Sequence, residues 1–584
     1  MAIDTSGKTA VNIAYINGNV LTSSSGPPAQ AILIRDGRIA AVGSNEKVLT
    51  AGGRNVEVQD VSGATISPGL IDTHPHLLHY AAARAPLVNI LDAKSHDDIV
   101  KAISEKASSV PKGAWIATTP IGDTQYFARR SYRDLEGGMP NRYVLDRASI
   151  NHPIIIQAWP PTCPNITAFN SLALQLLGID SSTADRANDV WIEKDSQGEP
   201  TGILKGSVNT YYNEDPFFAE LRDTKMAPYI VPNLIPQAVL SSLADYHKRG
   251  ITSIFEAHAM ESSHIEVYKR LHDEGKLNTR VLASTELESN ALPGSQLKSM
   301  SEIVSTLEQA LAARQSDNDW LRVEGITTCV WGIPTHDGLC WKEGYQATFG
   351  GLTTGKRNIT KEKLRATFEF CAKTGLRLNL LSTSPDELDE YIETAEAVMK
   401  KYNIKKSDWL IEHAMIIREG QAKKLKELGF SVTINIGHTY GLGDVLDERV
   451  GKKSLEGLNA IRELLDAGLI VGACLDWGPM DPWECMQLSV THQMFPSGRF
   501  NDGPRQVISR AEAFELFTTH GAAVMQWEGI GTLMPGSHAD LIIIDRNPLT
   551  CDLDSLSDTK VLRTTHYRWH LVMSRQSLWS ELMI

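Results

Sequence analysis

The sequence predicts an α/β fold: a distorted (β/α)8 TIM-like barrel, joined to a small β-sandwich domain built from both termini and carrying an inserted subdomain. Three observations predict it. Apolar runs of strand length alternate with helical stretches through the middle of the chain, several of these runs end on a histidine or aspartate, and strand-rich segments stand at both ends.

Residues 10–66 read as short strands broken by turns, with Asp36-Gly37 as a hairpin signal, and the last sixty residues hold a similar run, ADLIIIDRNP. The composite β domain is therefore expected over 10–66 and 526–584, and the barrel over 67–525. The first barrel strand is the apolar run from Ala64 to Ile71, which leads into Asp72-Thr73-His74-Pro75-His76. Seven more follow at 251–258, 280–287, 321–330, 376–382, 409–414, 431–438 and 469–476. Eight is the strand count of a closed parallel barrel, whose chemistry lies at the C-terminal ends of its strands. Roughly 170 residues separate the first two strands, too many for one crossover. Residues 77–235, rich in Trp, Pro and Tyr, are read as an inserted cover over the barrel mouth.

Composition narrows the function. The 584 residues are 42% hydrophobic and 22% charged, which suits a globular protein with a large core. A formal charge of -13 gives no basic surface for nucleic acid, and no run is long enough to span a membrane. Seven cysteines without a CxxC pair point to reduced thiols and a cytoplasmic location. The expected partner is a small-molecule substrate; the oligomeric state is left open, a homodimer included.

Two histidines separated by one residue at a strand end can aim both imidazoles at one ion. An isolated His-x-His is more often a pair of loop residues, but here His413 ends the sixth strand and Asp476 the eighth, which pairs with the first in a closed barrel. His74, His76 and Asp476 thus form the expected metal set. Two nitrogens and a carboxylate with an open position describe a catalytic divalent-metal site, most commonly zinc. Asp476 and His413 are the expected catalytic residues, and His413 has two readings, a fourth ligand or an imidazole that polarises the substrate or shuttles a proton. His258 and His438, at the ends of the second and seventh strands, are candidates to enlarge the metal site or contact substrate. Glu256 could pair with the metal ligands and His336 could reach the barrel mouth, but the plainer readings are a solvated or capping group and a surface-loop histidine. Trp159, Trp331 and Trp477 lie where aromatic walls could hold an apolar substrate, and Trp331 joins His258 and His438 as an expected substrate contact.

These motifs together resemble the amidohydrolase superfamily, specifically its branch of N-substituted formamide deformylase-like enzymes. The resemblance runs from about residue 10 to 550 through ISPGLIDTHPHL at 66–77, NSLALQLLGI at 170–179, PTGIL at 200–204, RGITSI at 249–254, IEHA at 411–414, LDW at 475–477 and GTLMPGSHADLIIIDRNPL at 531–549. It implies a metal-dependent hydrolase of C–N bonds in amides, formamides or cyclic amides. The departures are specific. The fourth strand, where the family carries a Gly-x-Lys whose carboxylated lysine bridges two metals, reads Gly325-Ile326-Thr327, and a fifth-strand ligand histidine is replaced by Leu381. Asn165 stands for a substrate-side histidine and Trp331 for an aspartate. The expectation is therefore one divalent ion, with Asp476 moving a proton from water to the leaving nitrogen. A decarboxylase, isomerase or lyase on the same barrel is the alternative reading, and a non-catalytic binding protein the second.

Overall fold

The computed structural model describes residues 12–574 apart from 27–28, 123–130, 160–161, 211–214, 227–230, 258–261, 289–296, 316–317 and 567–568. Eight parallel strands form its centre: β1 (Leu70–Asp72), β2 (Ile251–Glu256), β3 (Arg280–Glu286), β4 (Leu321–Cys329), β5 (Leu378–Leu381), β6 (Leu410–Glu412), β7 (Ser431–Ile434) and β8 (Val471–Ala473), each hydrogen-bonded to the next in chain order. The ring closes between β8 and β1, where the Thr73 amide and hydroxyl both donate to the Ala473 carbonyl, at 3.2 and 2.8 Å. Strands such as Ile251–Glu256 are buried along their whole length, as expected when helices cover one face and the barrel interior the other.

Seven of the strands fall where the apolar runs place them, most stopping earlier than those runs, but the first run is split: Thr65–Pro68 pairs in the terminal sheet and only Leu70–Asp72 enters the barrel. β7 ends at Ile434, so His438 lies in the first turn of the helix Gly437–Arg449 and not on a strand. β4 needs a glycine in its middle: Gly325 has φ 97°, and a Cβ there would meet the Arg377 carbonyl at 3.0 Å.

Strands from both ends of the chain share one sheet, in the order Asn19–Val20, Thr65–Pro68, Leu541–Ile544, Val561–His566, Trp569–Ser574. A four-stranded sheet built from residues 12–60 packs on it through Ile13, Ile32 and Ile34 against Ile66, Leu541 and Ile543. Between β1 and β2 a six-stranded sheet spans Ile116–Thr118 to Pro200–Gly206 with its own cores. The helix Leu77–Arg84 packs into the barrel core, so the separate unit starts beyond it. Among the described residues no helix is long and apolar enough to cross a membrane, and all seven cysteines are free thiols.

Glu256, at the end of β2, anchors that helix. Its buried carboxylate accepts from the Leu78 amide at 2.8 Å and the Tyr268 hydroxyl at 2.6 Å. Burial lifts its pKa to about 7 even though both hydrogen bonds favour the anion. Above pH 4.5 the unfolded chain releases this proton while the folded protein keeps it until about pH 7, so the group lowers stability as pH rises through that window. Glu256→Gln keeps an acceptor oxygen and removes the titration. Denaturant unfolding at pH 4.5 and pH 7 should show the variant gaining on the wild type by about 3 kcal/mol across the window; a constant difference would contradict this account.

Candidate metal centre

The C-terminal ends of β1 and β8 are stitched together by one buried carboxylate. Asp72 Oδ1 accepts from the amides of His74 and Leu475, both at 3.1 Å, and the Asp476 amide donates to the His74 carbonyl at 3.0 Å. This lock sets the histidine pair beside Asp476. His74 Nε2 and His76 Nε2 stand 3.1 Å apart, and His76 Nε2 lies 3.2 Å from Asp476 Oδ1. Two tetrahedral zinc ligands at about 2.1 Å from the ion are about 3.4 Å apart, so the spacing and the N, N, O donor set fit a divalent cation. His74, His413 and Asp476 also offer ligand atoms within 4.8 Å of one another.

The surroundings orient these groups. His74 Nδ1 lies 3.0 Å from the buried Glu412 carboxylate, close enough for that charge to orient the ring. Asn435 Nδ2 donates to Asp476 Oδ2 at 3.0 Å, and His438 Nε2 and His413 Nε2 lie 3.5 and 3.8 Å from the same oxygen. The Trp477 ring stacks on His76 at 5.0 Å. Burial alone would raise the Asp476 pKa, but hydrogen bonds from His438 and His76 and the charge of His413 outweigh it and hold the carboxyl well below its usual range.

Backbone strain marks the same residues. His76, His413 and Asp476 have φ of 47°, 68° and 51°, and Ala414 follows at 37°. Left-handed backbone at a non-glycine residue costs about 1–2 kcal/mol. Such strain persists where surrounding contacts over-determine it, and it clusters at functional sites. Three of the four histidine and aspartate side chains expected to meet here carry it.

A cavity of about 490 Å³ opens over the centre, walled by His76, His413, His438, Asp476 and Trp477 on the barrel side and by Cys163, Asn188 and Ser207 from the inserted unit. Leu381 and Cys329 reach it from β5 and β4. Thr327 sits one layer lower: its hydroxyl donates to Ser284 Oγ at 2.9 Å, and Asn379 Nδ2 donates to both hydroxyls. Residues so engaged fill the barrel interior where a bridging lysine would start.

Several expected contacts need correction. Trp331 is not among the residues walling the cavity. The chain turns after β4 so that Gly332 and Ile333 face it, while the Trp331 ring lies under the Arg357 guanidinium at 5.5 Å and packs on the barrel core. His336 is half-buried and lines the cavity, and burial lowers its pKa to about 4. Asn165 braces the inserted unit, donating to the carbonyls of Trp159 and Thr162 at 2.6 and 3.0 Å. Trp159 is buried there and donates to the Ile121 carbonyl. His258 lies outside the described residues. Glu412 and Asn435 are the contributors that sequence reasoning did not single out. A carboxylate inside the buried run WLIEHA was the available signal for Glu412, because an ionisable group in such a strand needs a partner; Asn435 offered none.

The sequence profile of the Amidohydrolase family matches residues 57–566. The chain belongs to this family. It is 27% identical over 572 residues to N-substituted formamide deformylase from Arthrobacter pascens, covering 95% of this chain and 97% of that protein. Among solved structures it is similar to an uncharacterized metal-dependent hydrolase from Pyrococcus furiosus, with a TM-score of 0.67 and 21% identity over 92% of this chain and all of that one. It also shares the fold of atrazine chlorohydrolase TrzN from Arthrobacter aurescens, solved with zinc, at a TM-score of 0.52 and 14% identity over 97% of this chain and 96% of that one. Membership and a His/Asp site at the barrel mouth make this amidohydrolase a metal-dependent hydrolase of carbon–nitrogen bonds.

Proposed function

We propose that the protein hydrolyses N-substituted formamides or closely related amides at a single zinc ion held by His74, His76 and Asp476. The observation that carries the reading is the run of short contacts from His74 Nε2 to His76 Nε2 at 3.1 Å and from His76 Nε2 to Asp476 Oδ1 at 3.2 Å, beside a His74, His413 and Asp476 set whose ligand atoms lie within 4.8 Å of one another. The full-length similarity to a formamide deformylase supports the substrate class. One ion, not two, is supported by Leu381 at the fifth-strand position, which has no lone pair, and by Thr327 spending its hydroxyl on Ser284.

When bound, the zinc brings the pKa of water to about 7 and polarises the scissile carbonyl. The chain's own residues do the rest. Asp476, kept ionised by its histidine neighbours and steadied by Asn435, takes the proton of the attacking water and returns it to the leaving nitrogen. His413 assists at the carbonyl, and His438 stands on the cavity wall beside it. Glu412 holds the His74 ring and Trp477 the His76 ring, so the donors need no rearrangement.

The test pairs metal analysis with product analysis. Purified protein should hold about one equivalent of zinc per chain, and incubation with N-butylformamide in water enriched in oxygen-18 should release butylamine and labelled formate. No formate from any N-alkylformamide, or activity that requires two ions per chain, would refute the reading.

A further inference from the structure

A second, outer groove of about 990 Å³ runs over the inserted unit, where Trp191 and Ile192 stand among the charged Asp185, Glu193, Lys194 and Asp195. Among the described residues, Phe349 is the one that lines both this groove and the catalytic cavity. It sits at the tip of a hairpin whose arms are Tyr345–Gln346 and Leu352–Thr353. Gly350 and Gly351, with φ of 99° and 86°, make the reversal that only glycine takes without strain.

The base of this hairpin is fixed. Arg449 donates to the carbonyls of Gln346 and Pro334, both at 2.8 Å, and pairs with Asp337. Asp337 Oδ1 in turn accepts from the amide and hydroxyl of Thr348, each at 2.9 Å. The half-buried Phe349 ring then meets Trp191 of the inserted unit at 5.2 Å, with Trp191 backed by the Arg186 guanidinium at 4.3 Å. A pinned hairpin carrying an aromatic tip against an aromatic buttress is a wall, and it stands between the two spaces.

We propose that Phe349 is the specificity-determining residue that sets the length of substituent the catalytic cavity accepts, by closing that cavity off from the outer groove. The inference rests on the cavity being the substrate site, as the preceding reading has it.

The experiment measures affinity, which does not require turnover. Straight-chain hydroxamic acids from two to ten carbons, which chelate through their own two oxygens, are titrated into the metal-loaded protein and into Phe349→Ala. Wild-type affinity should rise with chain length to a limit and then fall. In Phe349→Ala the limit should move to longer chains, with about tenfold tighter binding of the longest and a change within about twofold for the shortest, the scale at which apolar pockets discriminate methylenes. Phe349→Trp should move the limit the other way. Superimposable profiles, or no binding at any length, would overturn the proposal. A length shift in a protein that releases no formate would keep this inference and sink the deformylase reading instead.

Discussion

Asp476→Asn should abolish turnover while leaving the protein folded. In the proposed reading the carboxylate is a ligand through Oδ1 and a proton carrier, and an amide of the same shape serves neither role. Loss of general-base function alone accounts for about 10²–10⁴-fold in rate, and loss of a charged ligand adds weaker metal retention. The fold keeps its backbone supports and loses the favourable pull of His438, His76 and His413 on an ionised carboxyl. Asn435 can still donate to the remaining carbonyl oxygen, and the backbone bridge from the Asp476 amide to the His74 carbonyl does not involve the side chain. Residue 476 sits in left-handed backbone, which asparagine tolerates as well as aspartate does. The expected result is an unchanged circular-dichroism spectrum, reduced zinc content, and kcat lower by at least about 10³-fold. Activity within tenfold of wild type at full metal loading would remove Asp476 from the mechanism.

The parts of this site that were legible in the sequence are those that regular geometry dictates. β1 and β8 are neighbours in any closed eight-stranded barrel, so His74, His76 and Asp476 could be brought together across four hundred residues without seeing a contact. The buried strands were legible for a related reason: with both faces covered they read as unbroken apolar runs. Their ends were less so, because the residues leaving a strand toward the site follow no period. His413 and Asp476 turn into left-handed backbone, and His438 reaches Asp476 from a helix. Nor could spacing reveal Glu412 as the partner of His74, since that pairing depends on side-chain direction on β6. The hairpin bearing Phe349 was invisible for a further reason: its two strands have only two residues each, below the length at which alternation can be read.

Arg280→Met should destabilise the protein by about 3–5 kcal/mol, the usual consequence of stripping one partner from a buried ion pair. Arg280 is the first residue of β3, at the end of the barrel opposite the catalytic cavity, and Asp540 precedes the β-sandwich strand Leu541–Ile544. Arg280 Nε and Nη2 donate to the two Asp540 oxygens at 2.5 and 3.1 Å, and both side chains are about 1% exposed. The guanidinium also donates to the Asp319 carbonyl and lies 4.6 Å from the centre of the Trp320 ring. Methionine fills much of the space but leaves the Asp540 carboxylate without its guanidinium, in surroundings that water reaches poorly. Because the pair is buried, the loss should be nearly the same at low and high salt, unlike that of an exposed pair. Adding Asp540→Leu to Arg280→Met should recover a large part of it, since an apolar pair does not carry the desolvation penalty that ions do. Where Arg280→Met is still folded its kcat should match wild type, because β3 reaches the cavity only at its far end, through Glu286. Denaturant unfolding of the two variants at two salt concentrations decides the matter: a loss below about 1 kcal/mol, or one that disappears in high salt, would mean that this contact behaves as an exposed pair and does not clamp the sandwich to the barrel.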